Sequence, residues 1–215
     1  MVNSINLSDM ERKAFRSTFE DGLLELLIMC FTLQFALAPY LSQWGMGDFW
    51  SSAIFMPLYL IALVGYVQGK KHMTAPRVGL ATYSEKRRTK IRKLNFYLAF
   101  MVLAGIFMGV IALQFTGTTL ATWLFPAVMS FLLLFAFSMA GYYLDVPRLF
   151  YYGVLLSLLV PLGEVLFWRG YVSHHGYPLV FGIGTVVLFF NGIFHLVRFM
   201  TKYKIPEQES AHGKS

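Results

Sequence analysis

The chain has 215 residues, of which 57% are hydrophobic and 13% are charged, and its mean hydropathy is +0.58. A water-soluble domain carries about 25% charged residues, so this composition excludes an ordinary soluble enzyme, a disordered chain and a free nucleic-acid-binding domain. An integral membrane protein with a formal net charge of +7 remains. The single cysteine, Cys30, lies in an apolar stretch and excludes a disulfide framework within one chain.

Six apolar stretches are long enough to cross about 30 Å of hydrocarbon at a rise of about 1.5 Å per residue. They lie at residues 22–41, 49–67, 94–115, 120–142, 150–167 and 177–200. The sequence therefore predicts an all-α membrane domain over residues 22–200, built as a bundle of six transmembrane helices.

The distribution of positive charge predicts the orientation of this bundle. If the six spans alternate in direction, every Lys and Arg except Arg169 falls on one side. By the positive-inside rule that side is cytoplasmic, and both termini lie there. All the tryptophans then fall at the outer ends of spans, where amphipathic rings are favoured: Trp44, Trp50, Trp123 and Trp168.

Residues 1–21 are predicted to form a cytoplasmic amphipathic segment with a short helix at 8–20. Ser8 and Glu11 have the spacing of a capping box, and the apolar residues that follow cluster on one side. Such a helix either lies on the inner membrane surface or simply extends the first span. The Asp21-Gly22 pair is predicted to turn the chain into that span.

The segment 69–93 is predicted to be a basic cytoplasmic loop. Pro76 and Gly79 indicate a turn, and the part after Ser84 reads as a basic helix that runs into the third span. Its cations either contact anionic lipid headgroups or serve only to fix the topology: Arg77, Lys86, Arg87, Arg88, Lys90, Arg92 and Lys93. No nucleic-acid partner is expected, because one short loop supplies no fold that reads bases. Residues 201–215 are predicted to be a disordered cytoplasmic tail.

Polar residues inside the first and last spans form the main candidate site. Asp21 and Glu25 are four residues apart and point the same way near the inner leaflet. Asn191, His195 and Arg198 form a polar stripe at the same depth on the last span. These groups either form a pocket for an ion, a proton or a lipid headgroup, with Glu25 paired to Arg198 or His195, or they hold the two helices together.

Glu164 is the second candidate, close to Pro161 in the fifth span and near the outer surface. Its possible partners are Arg169, His174 and His175 in the following loop. A poorly paired buried glutamate can carry protons, whereas a neutral one bonded to a neighbouring helix is structural. We expect no metal site, because His195 has no second ligand on its own helix.

Two glycines of the third span, Gly105 and Gly109, form a small-xxx-small pattern that permits close helix contact. That contact lies either inside the bundle or at a homodimer or accessory-subunit interface. The sequence lacks the G-x-S-x-G, H-E-x-x-H and P-loop motifs of common enzymes, and we expect no cofactor.

Two short strings carry a family resemblance: D-G-L-L-E at residues 21–25 and P-R-V-G at residues 76–79. With them the chain resembles uncharacterised prokaryotic membrane proteins that span the bilayer several times. The resemblance implies a location in the prokaryotic cytoplasmic membrane and no particular activity. It marks Asp21, Glu25 and Arg77 as residues to test.

The sequence leaves three hypotheses for function. The first is a membrane module without catalytic activity that binds a lipid or small ligand or serves as an accessory subunit. The second is a small transporter or channel whose path uses Glu25, His195 and Glu164. The third is a membrane-embedded enzyme that modifies lipids, with His195 or Glu25 as acid or base.

Overall fold

A computed structural model describes residues 7–78, 85–114 and 119–204 of the chain, which contain helices and no strand. The α-helices are α1 Leu7–Ser17, α2 Leu23–Gln43, α3 Asp48–Ala53, α4 Phe55–Gly69, α5 Ala75–Val78, α6 Glu85–Gln114, α7 Thr119–Leu144, α8 Pro147–Trp168 and α9 Tyr177–Lys202. A π turn, Lys70–Thr74, joins α4 to α5, and a 3-10 turn, His174–Gly176, precedes α9. The predicted all-α class is confirmed.

Five helical stretches of the described chain are long and apolar enough to cross a membrane: Leu23–Gln43, Phe49–Val78, Trp123–Leu144, Pro147–Trp168 and His174–Lys202. They correspond to the predicted first, second, fourth, fifth and sixth spans. The third predicted span lies mostly within α6, which is not among the five. The number of spans and their orientation therefore stay predictions.

The last helix joins the two halves of the chain. α9 packs between α2 and α8, and the contacts continue from α8 to α7 and α6 on one side and from α2 to α4 on the other. Leu156, Val160 and Leu188 are almost completely buried where these helices meet. Many large apolar side chains on the outward faces are exposed, including Leu60 at 65% and Phe107 at 65%. A surface of this kind is suited to lipid rather than to water.

Much of the segment predicted as the loop 69–93 is helical. The second span continues without a break through the π turn and α5 to Val78, where Pro76 had indicated a turn. Pro76 lies directly after the π turn, where the regular α-helical hydrogen-bond pattern is already interrupted. The basic helix predicted after Ser84 is confirmed and begins α6 at Glu85.

The predicted N-terminal helix exists as α1, and it is fastened to two other elements. The Arg87 guanidinium of α6 lies 4.4 Å from the ring centroid of Phe15, which is buried on the apolar side of α1. Arg87 also donates to Oδ2 of Asp145 in the turn between α7 and α8, and Nη2 of Arg12 lies 3.1 Å from Oδ1. α1 is thus held against protein at this edge, and its position relative to the membrane surface stays a prediction.

Asp145 makes the contact of α1 with α6 and with the turn between α7 and α8 sensitive to pH. Burial raises the pKa of Asp145, but the hydrogen bond from Arg87 and the charges of Arg12 and Arg87 outweigh it and hold the pKa below its ordinary value of 3.8. A carboxyl with a lowered native pKa stabilises the fold above its unfolded pKa, and the stabilisation is lost as the pH falls through the native pKa.

We expect Asp145→Asn to lower the thermal unfolding midpoint in mild detergent by about 3 °C or more at neutral pH. Asparagine tolerates the left-handed backbone that Asp145 adopts, with φ of 56°, so the change removes charge and little else. The difference from wild type should be constant from about pH 5 to about pH 8 and should shrink below about pH 4. A gap that stays unchanged down to about pH 2 would contradict this assignment.

Some predictions fall on residues that the structure does not describe. The tail from residue 205 onward, the side chain of Lys86 and the surroundings of Gly109 lie outside the described part. At Gly105 a Cβ atom would meet no other group within 4 Å, so no described helix packs closely on this side of α6. Contact through Gly105 with a second copy or another subunit stays a prediction.

Candidate functional site

Asp21 is a fully buried carboxylate in the turn between α1 and α2. Nζ of Lys70, the first residue of the π turn, lies 2.7 Å from its Oδ2, and the Thr74 hydroxyl donates to the same oxygen. The backbone N–H of Leu23 donates to Oδ1 at 3.2 Å, and Lys70 also donates to the carbonyl of Thr18. The start of α2 is therefore tied to the end of the α4 helix through a buried ion pair.

Glu25, one turn further along α2, is also fully buried. Its Oε1 lies 2.8 Å from Nε of Arg148 in the first turn of α8, close enough for an ion pair although not aligned as a hydrogen bond. The Tyr152 hydroxyl donates to Oε1 at 3.1 Å, and Nδ2 of Asn191 donates to the Tyr152 oxygen at 3.0 Å. One buried polar chain therefore joins α2, α8 and α9.

The first and last predicted spans, helices α2 and α9, approach each other closely. A Cβ atom at Gly192 of α9 would lie 2.9 Å from the Leu26 side chain and 3.2 Å from Cβ of Glu25, so a larger residue here would require α2 or its side chains to shift. Further along α2, the hydroxyl of Thr32 lies 2.9 Å from the hydroxyl of Thr185 on α9, and the two share a hydrogen bond. Glu25 and Asn191 thus belong to one cluster, joined through Tyr152 of α8. Glu25 pairs with Arg148 rather than with Arg198 or His195, the partners that the sequence suggested.

A cavity of about 370 Å³ opens beside this buried chain, bounded by the end of α1, the turn before α2, the start of α8 and the end of α9. We call it the basic pocket, after the side chains that define its walls: Arg16, Arg148, His195, Arg198 and Lys202. Among the described residues that line it, Glu20 is the one acid. The pocket therefore carries a surplus of positive charge.

Ion pairs among the described residues do not remove this surplus. Glu20 is paired to Lys202 at 2.8 Å; burial raises the pKa of Glu20, but the hydrogen bond and charge of Lys202 outweigh that and lower it below 4.5. Arg148 forms an ion pair with Glu25, and Nη2 of Arg148 has no hydrogen-bond partner among the described residues. Within the described chain neither Arg16 nor Arg198 has an ion-pair partner. Two guanidinium groups and part of a third are thus available to a ligand.

The cations that the sequence assigned to lipid contact are divided by the structure. Arg87 is 7% exposed and bonded to Asp145, and Arg77 is half-buried and donates to the Met73 carbonyl of its own helical segment at 2.8 Å. The remainder with described side chains are exposed on α6: Arg88, Lys90, Arg92 and Lys93. Anionic-lipid contact is therefore left to the exposed members of the set, for which it stays a prediction.

Glu164 lies in a separate cluster at the end of the bundle where α8 finishes and α9 begins. It is 3% exposed, its Oε1 is 3.0 Å from Nδ1 of His175, and the Tyr177 hydroxyl donates to the same oxygen at 3.2 Å. The rings of Trp123 and Trp168 are 4.5 Å apart at this end. Since Glu25 and Glu164 lie at opposite ends of α8, the structure does not bring them into one site.

The sequence reading missed several residues of the site. Lys70, Arg148 and Tyr152 complete the buried networks, yet none of them was predicted as a site residue. A usable signal was present, because Arg148 and Tyr152 are four residues apart and share a helix face at the depth of Glu25. No described group of three His, Cys, Asp or Glu residues could hold a metal ion.

The fold and the site together describe an all-helical protein with long apolar helices of the kind that cross membranes and a basic pocket at one end of them. Comparisons of the chain with protein-family models, with curated proteins and with solved structures find no match. The function is therefore argued from the pocket itself.

Proposed function

We propose that this protein is a membrane module that binds an anionic lipid and holds the phosphate of its headgroup in the basic pocket. The observation that carries the proposal is that Arg16 and Arg198 line one cavity and that neither has a carboxylate partner among the described residues. Guanidinium groups bind phosphate oxygens through paired, charge-assisted hydrogen bonds. A cavity of about 370 Å³ is within the range of small-ligand sites.

A purely structural role accounts for the buried ion pairs but not for this surplus. Asp21 with Lys70, and Glu25 with Arg148, are balanced pairs that hold helices together. Arg16 and Arg198 add charge to the same region without a described acidic partner, and like charges placed together repel one another. An anion bound between Arg16 and Arg198 offsets that repulsion. The arrangement is therefore suited to anion binding.

The position of the pocket favours a lipid over a soluble anion. It lies at the start of α8 and the end of α9, next to the turn that leads into α2, and these are three of the helices that are apolar enough to cross a membrane. Tyr151, on the pocket wall, is 70% exposed, and its neighbour Phe150 is 50% exposed, so apolar surface for an acyl chain adjoins the cations. Basic pockets between spans at the cytoplasmic side bind anionic headgroups, and the charge distribution predicts that side here.

The proposal is tested by native mass spectrometry of the purified protein titrated with phosphatidylglycerol and, separately, with phosphatidylcholine. We expect phosphatidylglycerol to bind with the higher affinity. The double variant Arg16→Gln/Arg198→Gln should weaken that binding about tenfold or more, since each lost charge-assisted hydrogen bond contributes about 1.5–3 kcal/mol. Neither side chain has a described ion-pair partner, so the fold should be retained.

The matched control is Arg88→Gln/Arg92→Gln, which removes the same charge from exposed positions of α6. We expect it to affect phosphatidylglycerol binding less than the pocket variant does. The proposal fails if the α6 variant abolishes binding while the pocket variant preserves it, because the lipid surface would then be the basic segment. It also fails if phosphatidylcholine binds as tightly as phosphatidylglycerol.

A further inference from the structure

We propose that His195 is a proton-dependent ligand of the basic pocket: its imidazole takes up a proton from water when the phosphate of an anionic lipid binds and then donates a hydrogen bond to that phosphate. This inference rests on the proposed lipid-binding function. It adds a second ligand, the proton, to the same site.

The position of His195 supports this role. It lies one turn before Arg198 on α9, and Arg148 reaches the same cavity from α8. The ring is partly buried, and its nitrogens make no hydrogen bond to the described residues, although the ring contacts that of Phe194 with centroids 5.6 Å apart. Because His195 lines the cavity, a ring nitrogen without a described partner is able to serve a ligand there.

Charged and titratable groups face this ring from every element around the pocket: Arg16 of α1, Glu20 of the following turn, Glu25 of α2, Arg148 and Tyr151 of α8, and Arg198 and Lys202 of α9. The two carboxylates are already paired, Glu20 with Lys202 and Glu25 with Arg148. What His195 experiences beyond these pairs is therefore the charge of the unpaired guanidinium groups.

That charge determines how the proton and the anion are coupled. Without a bound anion, an imidazolium at this position would stand next to like charges and would be repelled by them. A phosphodiester in the pocket brings one negative charge, offsets the repulsion and accepts a hydrogen bond from the protonated ring. Proton and anion therefore each increase the affinity for the other by the same factor.

The test uses dihexanoylphosphatidylglycerol, a soluble short-chain lipid whose phosphodiester keeps one negative charge between about pH 6 and about pH 8. Its binding to the full-length protein in detergent is measured by isothermal titration calorimetry at both pH values. We expect binding to be about threefold to tenfold tighter at the lower pH, because one linked proton changes affinity by up to about tenfold per pH unit. The heat measured in two buffers of different ionisation enthalpy should report net proton uptake.

Two histidine variants assign the proton. His195→Gln should bind the lipid with similar affinity at both pH values and without proton uptake, whereas His72→Gln, an exposed histidine in the π turn, should behave as wild type. Wild-type binding that is equal at both pH values and releases no buffer-dependent heat overturns the inference while leaving the proposed function intact. Unchanged proton uptake in folded His195→Gln also overturns it. Absence of lipid binding by wild type at every pH overturns the proposed function itself.

Discussion

Replacing Asp21 with asparagine is expected to lower the free energy of unfolding by about 3 kcal/mol or more. Asp21 is completely buried and compensates the charge of Lys70, whose side chain is itself largely buried. Asparagine keeps the shape of the side chain but leaves the lysine charge without its partner in a region of low dielectric. Unfolding in mixed detergent micelles, followed by circular dichroism, measures the loss.

A double-mutant cycle separates the ion pair from the loss of the Asp21 hydrogen bonds. Lys70→Met alone should also destabilise the fold, since it leaves the buried carboxylate without a cation. The combination Asp21→Asn/Lys70→Met should recover part of the loss, because neither charge then remains uncompensated. If the double variant is as unstable as the two single effects added together, the pair is not coupled and the explanation is wrong.

The matched control for this cycle is the exposed pair of Glu20 and Lys202 at the same end of the bundle. Their side chains are 39% and 52% exposed, and the charged atoms are 2.8 Å apart. Glu20→Gln should cost no more than about 1 kcal/mol, because solvent screens a pair of this kind and side-chain ordering offsets its attraction. Burial, rather than distance, distinguishes the two pairs.

Sequence periodicity and length were sufficient to predict five of the helices that can cross a membrane. In lipid, a continuous apolar run with few charges is stable as a helix, because a helix hydrogen-bonds its own backbone N–H and C=O groups. The turn at Asp21-Gly22 could be predicted as well, and the structure shows the reason: Gly22 has φ of 72°, in the left-handed region that glycine favours. These features depend on residues close together in the chain.

The partner of Asp21 could not be predicted in the same way. Pro76 and Gly79 indicated a turn after the second span, whereas the helix continues through a π turn that places Lys70 and Thr74 on the same carboxylate. A π turn adds a residue to the helical repeat and is stabilised by tertiary contacts rather than by local propensity. The sequence therefore indicated the buried acid, Asp21, but did not indicate that the segment Lys70–Thr74 supplies its partners.

The partner of Glu25 shows a second limit of sequence reasoning. Helical spacing predicted that Glu25, His195 and Arg198 lie at the same end of the bundle, and His195 and Arg198 line the pocket beside the Glu25 cluster. It did not reveal that α8 lies next to α9, so that Arg148 forms the ion pair and Tyr152 supplies the hydrogen bond. Depth follows from position along each helix, whereas the choice of neighbour follows from packing of all the helices.

Gly22→Ala is expected to be the most damaging small substitution at this end of the bundle. A Cβ atom at this position would lie 2.2 Å from the carbonyl oxygen of Gly192 and 3.0 Å from Cβ of His195. Alanine would in addition have to hold φ at 72°, which costs about 1–2 kcal/mol, and overpacking adds about 1–3 kcal/mol. We expect the free energy of unfolding to fall by about 2–5 kcal/mol.

Two other glycines separate the causes of that loss. Gly170→Ala introduces the same backbone strain, with φ of 73°, at a position where the Cβ meets nothing within 4 Å, and Gly105→Ala introduces neither strain nor contact. Gly170→Ala should therefore cost about 1–2 kcal/mol, and Gly105→Ala should be neutral or stabilising by up to about 1 kcal/mol. Because the Gly22 clash pushes α9 away from α2, it also displaces His195, so Gly22→Ala should weaken phosphatidylglycerol binding while Gly170→Ala leaves it unchanged. Equal losses of stability and binding in these two variants would show that helix contact at Gly22 does not position the pocket.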